Sequence, residues 1–254
     1  MHARIHAELL RLEQLHHVRI LYACEAGSRA WGFPSPDSDY DVRFIYCRPP
    51  GWYLTLDEGA DTLNFPVDEE LDLAGWDLRK ALKLLRGSNA ALLEWLQSPQ
   101  TYLEALDFRA AVQPRLAECF NPLATLHHYL GLVRRGIEED LPQEQPRLKR
   151  LFYALRSALA ARWIRERQTV PPMEFRRLRE LLPSELRAEV DELLRRKARA
   201  TEKTTVPRPA ALAAFIEAEY AASQAARATL APPRRPDPTP ALNELFQQLI
   251  TRAF

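Results

Sequence analysis

The sequence predicts an α+β fold, in which an α/β N-terminal lobe on a short mixed sheet precedes an all-helical C-terminal domain. Three observations carry this. Period-two alternation recurs between residues 18 and 74, strand signals fade after about residue 110, and apolar residues then return at helical spacing between prolines.

The first segment, Met1 to His17, reads as a helix with Ile5, Leu9, Leu12 and Leu15 on one face. Val18 to Ala26 alternates, with Val18, Ile20, Tyr22 and Cys24 assigned to one face, and Gly27-Ser28 ends the strand before a turn-rich stretch through Asp37. A second strand, Asp39 to Tyr46, sends Tyr40, Val42, Phe44 and Tyr46 one way and Asp39, Asp41 and Arg43 the other. A loop through Pro49, Pro50 and Gly51 leads to Trp52 and Tyr53. A third strand is expected from about Asp68 to Ala74, broken by Gly75, with Asp77 capping a helix that buries Leu78, Ala81, Leu82 and Leu85. Ser88-Asn89 punctuates before another apolar helix, Ala90 to Leu96. Trp76 and Trp95 read as core or domain-seam packing.

Helices then follow one another between Pro122, Pro142, Pro146, Pro171-Pro172 and Pro183. The stretch PPRRPDPTP, from Pro232 to Pro240, reads as a stiff linker, and Ala241 to Phe254 as a short helix in need of a partner surface. The expected domains are 1–112, 113–230 and a tail 231–254 of Pro-rich linker and helix, with an active cleft at the seam of the two lobes.

Composition narrows the class. Of 254 residues, 46% are hydrophobic and 27% charged, which argues against wholesale disorder, and no run is apolar enough for a membrane span. The charged start does not read as a signal peptide. Three widely spaced cysteines, Cys24, Cys47 and Cys119, argue against a disulfide framework or a zinc site and point to the cytoplasm. The net charge of +1 conceals an asymmetry: residues 1–100 carry ten basic against fifteen acidic side chains, the remainder twenty-five against nineteen. That suits cations held in one lobe and polyanions against the other, although two ordinary surfaces could drift as far.

The segment AGSRAWGFPSPDSDYDVRFIY, Ala26 to Tyr46, concentrates the chemistry. Asp39 and Asp41, at i and i+2 on a strand, share a face with Cα atoms roughly 6.6 Å apart and can reach the same one or two divalent ions. Gly27 at the strand end permits a close backbone approach, and the Ser28 hydroxyl with nearby amides opening a helix at Arg29 makes a phosphate nest. Hard oxygen ligands without His or Cys select Mg²⁺ or Mn²⁺, and metals beside a phosphate cradle suit phosphoryl or nucleotidyl transfer. Arg43 projects from the acid face, either as a neutralising salt bridge or as a triphosphate contact.

Between Arg147 and Arg167 seven basic residues stand against one acid, Glu166. On a helix, Leu148, Leu151, Phe152, Leu155 and Leu159 form the buried stripe, with Lys149, Tyr153 and Arg156 in a row beside it. That row is either a solvated face or a clamp for a triphosphate and base. No GxGxxG, Walker loop, HExxH or GxSxG is present. The six histidines lie on mostly polar helical segments.

GSRAWGFPSPDSDYDVRFIY resembles the active-site signature of the DNA polymerase β nucleotidyltransferase superfamily. More narrowly, it is similar to the bacterial and phage family of predicted nucleotidyltransferases of an RNA repair pathway. LDLAGWDLRKALKLLRGSNAALLEWLQSP and LKRLFYALRSALAARWI resemble that family's second and third blocks, so the likeness spans roughly residues 20–215.

The resemblance implies that Gly27 and Ser28 hold the β- and γ-phosphates and that Asp39 and Asp41 bind two metal ions, Mg²⁺ or Mn²⁺. It implies a third carboxylate on a neighbouring strand, best matched by Asp72, with Glu70 as rival and Asp68 too early. Lys80 and Asn89 match family positions that reach phosphate and sugar or base; otherwise they are a surface lysine and a helix cap. It also favours ligand contact for Lys149, Tyr153 and Arg156. Arg150, Leu151 and Ser157 depart from the family's more usual Lys, Tyr and Pro, which bears on acceptor contacts. The implied reaction is NMP transfer from an NTP to a hydroxyl with release of pyrophosphate, and an RNA is the expected acceptor. A protein acceptor, a small molecule, and a non-catalytic NTP- or RNA-binding module are the alternatives.

Overall fold

The computed structural model describes residues 1–66, 70–230 and 235–254. The chain divides into two compact units, each discontinuous in sequence. The first comprises residues 1–27, 39–120 and the C-terminal stretch from 235; the second comprises residues 28–38 and 121–230.

The first unit holds a mixed five-stranded sheet, α1 (His2–His16), β1 (Arg19–Glu25), β2 (Tyr40–Cys47), β3 (Thr62–Pro66), β4 (Leu71–Asp77), α3 (Leu78–Arg86), α4 (Ala90–Trp95), β5 (Thr101–Glu104), α5 (Phe108–Cys119) and α11 (Thr239–Ala253). A five-residue helix, α2 (Gly27–Trp31), carries the chain across the unit boundary. The strand order is β3-β4-β2-β1-β5; β2 and β4 run parallel and the other neighbours antiparallel.

One sheet face is sealed by α1, whose Ile5, Leu9 and Leu12 pack on Val18, Ile20, Ala23, Val42, Phe44, Tyr46, Leu71 and Leu73. Each such aliphatic side chain contributes roughly 1.5–3 kcal/mol on burial. Leu15, expected on that stripe, is instead 59% exposed. It falls just before the left-handed cap at His17, where the helix ends. The period-two reading of β1 also fails midway. Its register shifts between Ile20 and Tyr22, so Ala23 follows Ile20 into the α1 core, while Tyr22 and Cys24 pair with Ile45 and Arg43 on the other face. A bulge inserts one residue and inverts the alternation after it.

Gly75 does not end β4. The strand continues to Asp77, and Gly75 lies opposite Phe44, where a Cβ would come within 2.1 Å of the Phe44 ring. The glycine makes room for an aromatic neighbour. Strands β3 and β5 carry no sequence signal that anticipates them, and Asp68 lies outside the described residues. Asp77 does cap α3, accepting the Arg79 amide at 2.8 Å. Trp76 and Trp95 stack at 3.8 Å.

The short C-terminal helix finds its partner surface: α11 packs on α3 and α5 within the first unit. It begins at Thr239 and includes Pro240, so the expected linker ends earlier, because proline is well suited to a first helical turn. Pro232 to Arg234 lie outside the described residues.

The second unit is helical: α6 (Pro122–Arg135), α7 (Leu148–Arg167), α8 (Phe175–Leu178), α9 (Ser184–Lys197) and α10 (Ala210–Ala226). The α7 stripe of Leu148, Leu151, Phe152, Leu155 and Leu159 is buried as expected. Phe33, from the 28–38 segment, stacks on Phe152 at 5.4 Å and meets Phe175 edge-on at 5.5 Å. All three cysteines are free thiols and buried; burial pushes Cys24 and Cys47 up to about 12. Among the described residues no helix is long and apolar enough to cross a membrane.

Candidate active site

Parallel pairing of β2 with β4 sets Asp41 directly beside Asp72. Arg43, two residues along on the same face, lies between them: one guanidinium nitrogen is 3.0 Å from an Asp41 carboxylate oxygen and 2.8 Å from one of Asp72. The guanidinium also donates to the Asp72 carbonyl at 3.3 Å. These ion pairs are the neutralising salt bridge that is one of the two sequence readings of Arg43. Two carboxylates side by side repel unless a cation stands with them, and here the cation is a side chain.

Asp39 is exposed, one residue before β2. The rival Glu70 is also exposed, and its backbone carbonyl accepts the Tyr40 amide at 2.8 Å. Among the described residues, no three His, Cys, Asp or Glu side chains converge as a ready-made metal cage. The acid face still fits a hard divalent ion by two criteria. Its donors are carboxylate oxygens, and Gly27 forms a cradle that a side chain would fill. A Cβ on Gly27 would stand 2.0 Å from Asp41 Oδ2, and the residue has φ of +61°. Glycine is therefore required there twice over, by space and by backbone conformation.

Glu25 positions Asp41 and was not singled out from the sequence. Fully buried at the end of β1, it accepts the Asp41 amide at 2.9 Å and also the Tyr102 hydroxyl. The Ala26 amide in turn donates to the Asp41 carbonyl at 2.8 Å. The available signal was a lone carboxylate in an otherwise apolar strand just before the Gly-Ser corner.

Elsewhere in the first unit, Lys80 donates to Asp61 at 2.9 Å and Thr62 at 2.6 Å, and its hydrogen bond holds the Asp61 carboxyl below its ordinary value. Asn89 caps α4, accepting the Leu92 amide at 3.0 Å.

The second unit contains the other sequence candidates. Ser28 donates to the Ser38 hydroxyl at 3.1 Å, and Ser38 donates to Glu202 at 2.9 Å. Lys149 grips the other Glu202 oxygen at 2.6 Å. The Glu202 amide donates to the Asp37 carboxylate at 3.0 Å, and Arg29 donates to the Ser38 carbonyl at 2.6 Å. Lys197, 1% exposed, donates to Ser35 at 2.8 Å, and burial lowers its ammonium below the usual lysine range. The segment 28–38 is thus tied to α7, to α9 and to the loop after α9. Tyr153 meets Trp31 edge-on at 4.9 Å, and the Arg156 guanidinium lies over Trp31 at 4.5 Å. Arg156 is buried and also donates to the Met173 carbonyl at 3.0 Å. The row Lys149, Tyr153, Arg156 is present, with Trp31 and Glu202 as partners that spacing alone could not disclose.

Burial alone would raise the Glu202 carboxyl, but the bonds from Lys149 and Ser38 outweigh it and hold it below the ordinary 4.5. A depressed carboxyl stabilises the fold above its unfolded value, and that contribution disappears as pH falls through the folded one. Melting temperatures of the wild type should therefore drop more steeply below about pH 5 than those of Glu202→Gln, which has no carboxylate to protonate. Parallel profiles for the two proteins would contradict the assignment.

Two comparisons bear on this geometry. Residues 1–248 match the protein family RlaP, described as an RNA repair pathway DNA polymerase beta family. The chain is also 42% identical, over all of its length and 98% of the relative's, to the uncharacterized protein YcgL of Bacillus subtilis.

Proposed function

Because the chain belongs to the RNA repair pathway DNA polymerase beta family, we propose that it is a metal-dependent nucleotidyltransferase acting on RNA. An acceptor hydroxyl oxygen bonds to the α-phosphorus of an NTP, the bond from that phosphorus to the bridging oxygen breaks, and pyrophosphate leaves. The hydroxyl proton passes to Asp72. The observation that carries this reading is the in-register pair Asp41 and Asp72, held with Arg43 on one sheet face.

Asp39, Asp41 and Asp72 would hold Mg²⁺ or Mn²⁺, whose positive charge would let phosphates approach these carboxylates. Gly27 leaves room for the Asp41 carboxylate against the backbone. Ser28 follows Gly27 in the chain, and its buried hydroxyl donates to Ser38. Arg43 neutralises the pair in the absence of nucleotide.

The test offers labelled ATP, CTP, GTP and UTP, with Mg²⁺ or Mn²⁺, to tRNA, short RNA oligomers and the protein alone. Label should appear on RNA and fall by roughly 10²–10³-fold in Asp41→Asn, the scale expected when a group stabilising the transition state is removed. Label on protein alone identifies a protein nucleotidylating enzyme instead, and nucleotide binding without turnover identifies a non-catalytic module.

A further inference from the structure

Between α3 and α11, both in the first unit, lies a groove with a cavity of about 200 Å³. One wall carries Arg79, Lys83 and Arg86 of α3, and the other carries Thr239, Leu242 and Phe246 of α11. The three cations sit at i, i+4 and i+7, so they form one row along the helix, about 6 Å and 4.5 Å apart in rise. No acid occurs anywhere on α3.

The acidic competition is weak. Glu58 approaches Arg79 at 3.8 Å and Lys83 at 3.7 Å but is 75% exposed, so solvent screens both contacts. Asp237 is occupied with Thr239, accepting both its hydroxyl and its amide. Arg86 donates to the Thr239 hydroxyl at 3.1 Å. Aromatic surface adjoins the row: the Arg79 guanidinium lies 4.8 Å from the Tyr53 ring centre and 5.7 Å from that of Phe246.

We propose that this groove binds single-stranded RNA, with phosphates along Arg79, Lys83 and Arg86 and a base against Phe246. A row of like charge beside half-buried ring surface is what a polyanion with flat apolar bases requires. An acidic peptide would use the charges and leave the ring unexplained. The inference rests on the reading of the protein as an RNA-directed transferase, yet it concerns residues outside the acid face.

The test is fluorescence anisotropy of a labelled single-stranded RNA oligomer with the full chain, without nucleotide. Lys83→Gln/Arg86→Gln changes two exposed side chains and should weaken binding at least tenfold. It should also reduce the slope of log affinity against log salt by about 1.4. Phe246→Leu should weaken binding by about tenfold with the salt slope unchanged, as loss of a stacking surface does. Unchanged affinity and slope in the double variant overturns the proposal. Turnover is not read here, so the two claims separate: RNA labelling with unaltered binding in the variants sinks the groove alone. Altered binding with no labelling by the wild type sinks the transferase alone.

Discussion

Gly27→Ala should abolish most transfer activity while also destabilising the fold. A non-glycine residue at φ of +61° costs about 1–2 kcal/mol, and the added Cβ, 2.0 Å from Asp41 Oδ2, must push that carboxylate aside. Together these should lower unfolding free energy by about 2–3 kcal/mol, read from denaturant melts. Displacing a reacting group by about 1 Å costs on the order of 10²-fold in rate, so the activity per folded molecule should fall at least that far. Gly75→Ala supplies the control. Its Cβ meets the buried Phe44 ring at 2.1 Å, so stability should drop, yet the folded fraction should retain its activity. Equal specific activities for the two variants would show that Gly27 only supports folding.

Arg43→Gln should make the protein's stability depend on divalent ions. The guanidinium is the cation that stands with Asp41 and Asp72, and its loss leaves two carboxylates adjacent in register. These side chains are partly exposed, at 20% for Arg43 and 32% and 45% for the acids, so screening limits the loss to about 1–2 kcal/mol. Millimolar Mg²⁺ or Mn²⁺ should restore most of it by mass action on the folded state. The wild type should gain less, since an ion must first displace the guanidinium. A metal-insensitive melt in the variant would remove the case for these acids as ligands, whatever the activity assay reports.

The acid strand was legible because its signal is local. Asp39, Asp41 and Arg43 alternate with Tyr40, Val42 and Phe44, and a period of two assigns each side chain to a face without knowledge of any neighbour. The helices were legible for the same reason, down to Asp77 as a cap. What escaped depends on pairing partners. The bulge in β1 reverses the faces of Tyr22 and Cys24 because β2 opposes it with one residue fewer, which no pattern within β1 records. Gly75 reads as a breaker until Phe44 is seen across from it. Strands β3 and β5 flank the sheet, and Thr62–Pro66 and Thr101–Glu104 are too short to establish a period. Glu25 and Glu202 are single acids whose meaning lies in the Asp41 amide and in Ser38 and Lys149, the latter two far away in sequence.

The interleaving of the two units has a consequence for biosynthesis. Residues 239–253 cover the α3 surface of a unit whose other elements leave the ribosome more than a hundred residues sooner. Until α11 emerges, Leu82 and its neighbours stay uncovered, so a nascent chain stalled near residue 230 should be a chaperone client and a protease substrate. Late frameshifts should therefore lower cellular abundance even though every carboxylate of the acid face has already been translated.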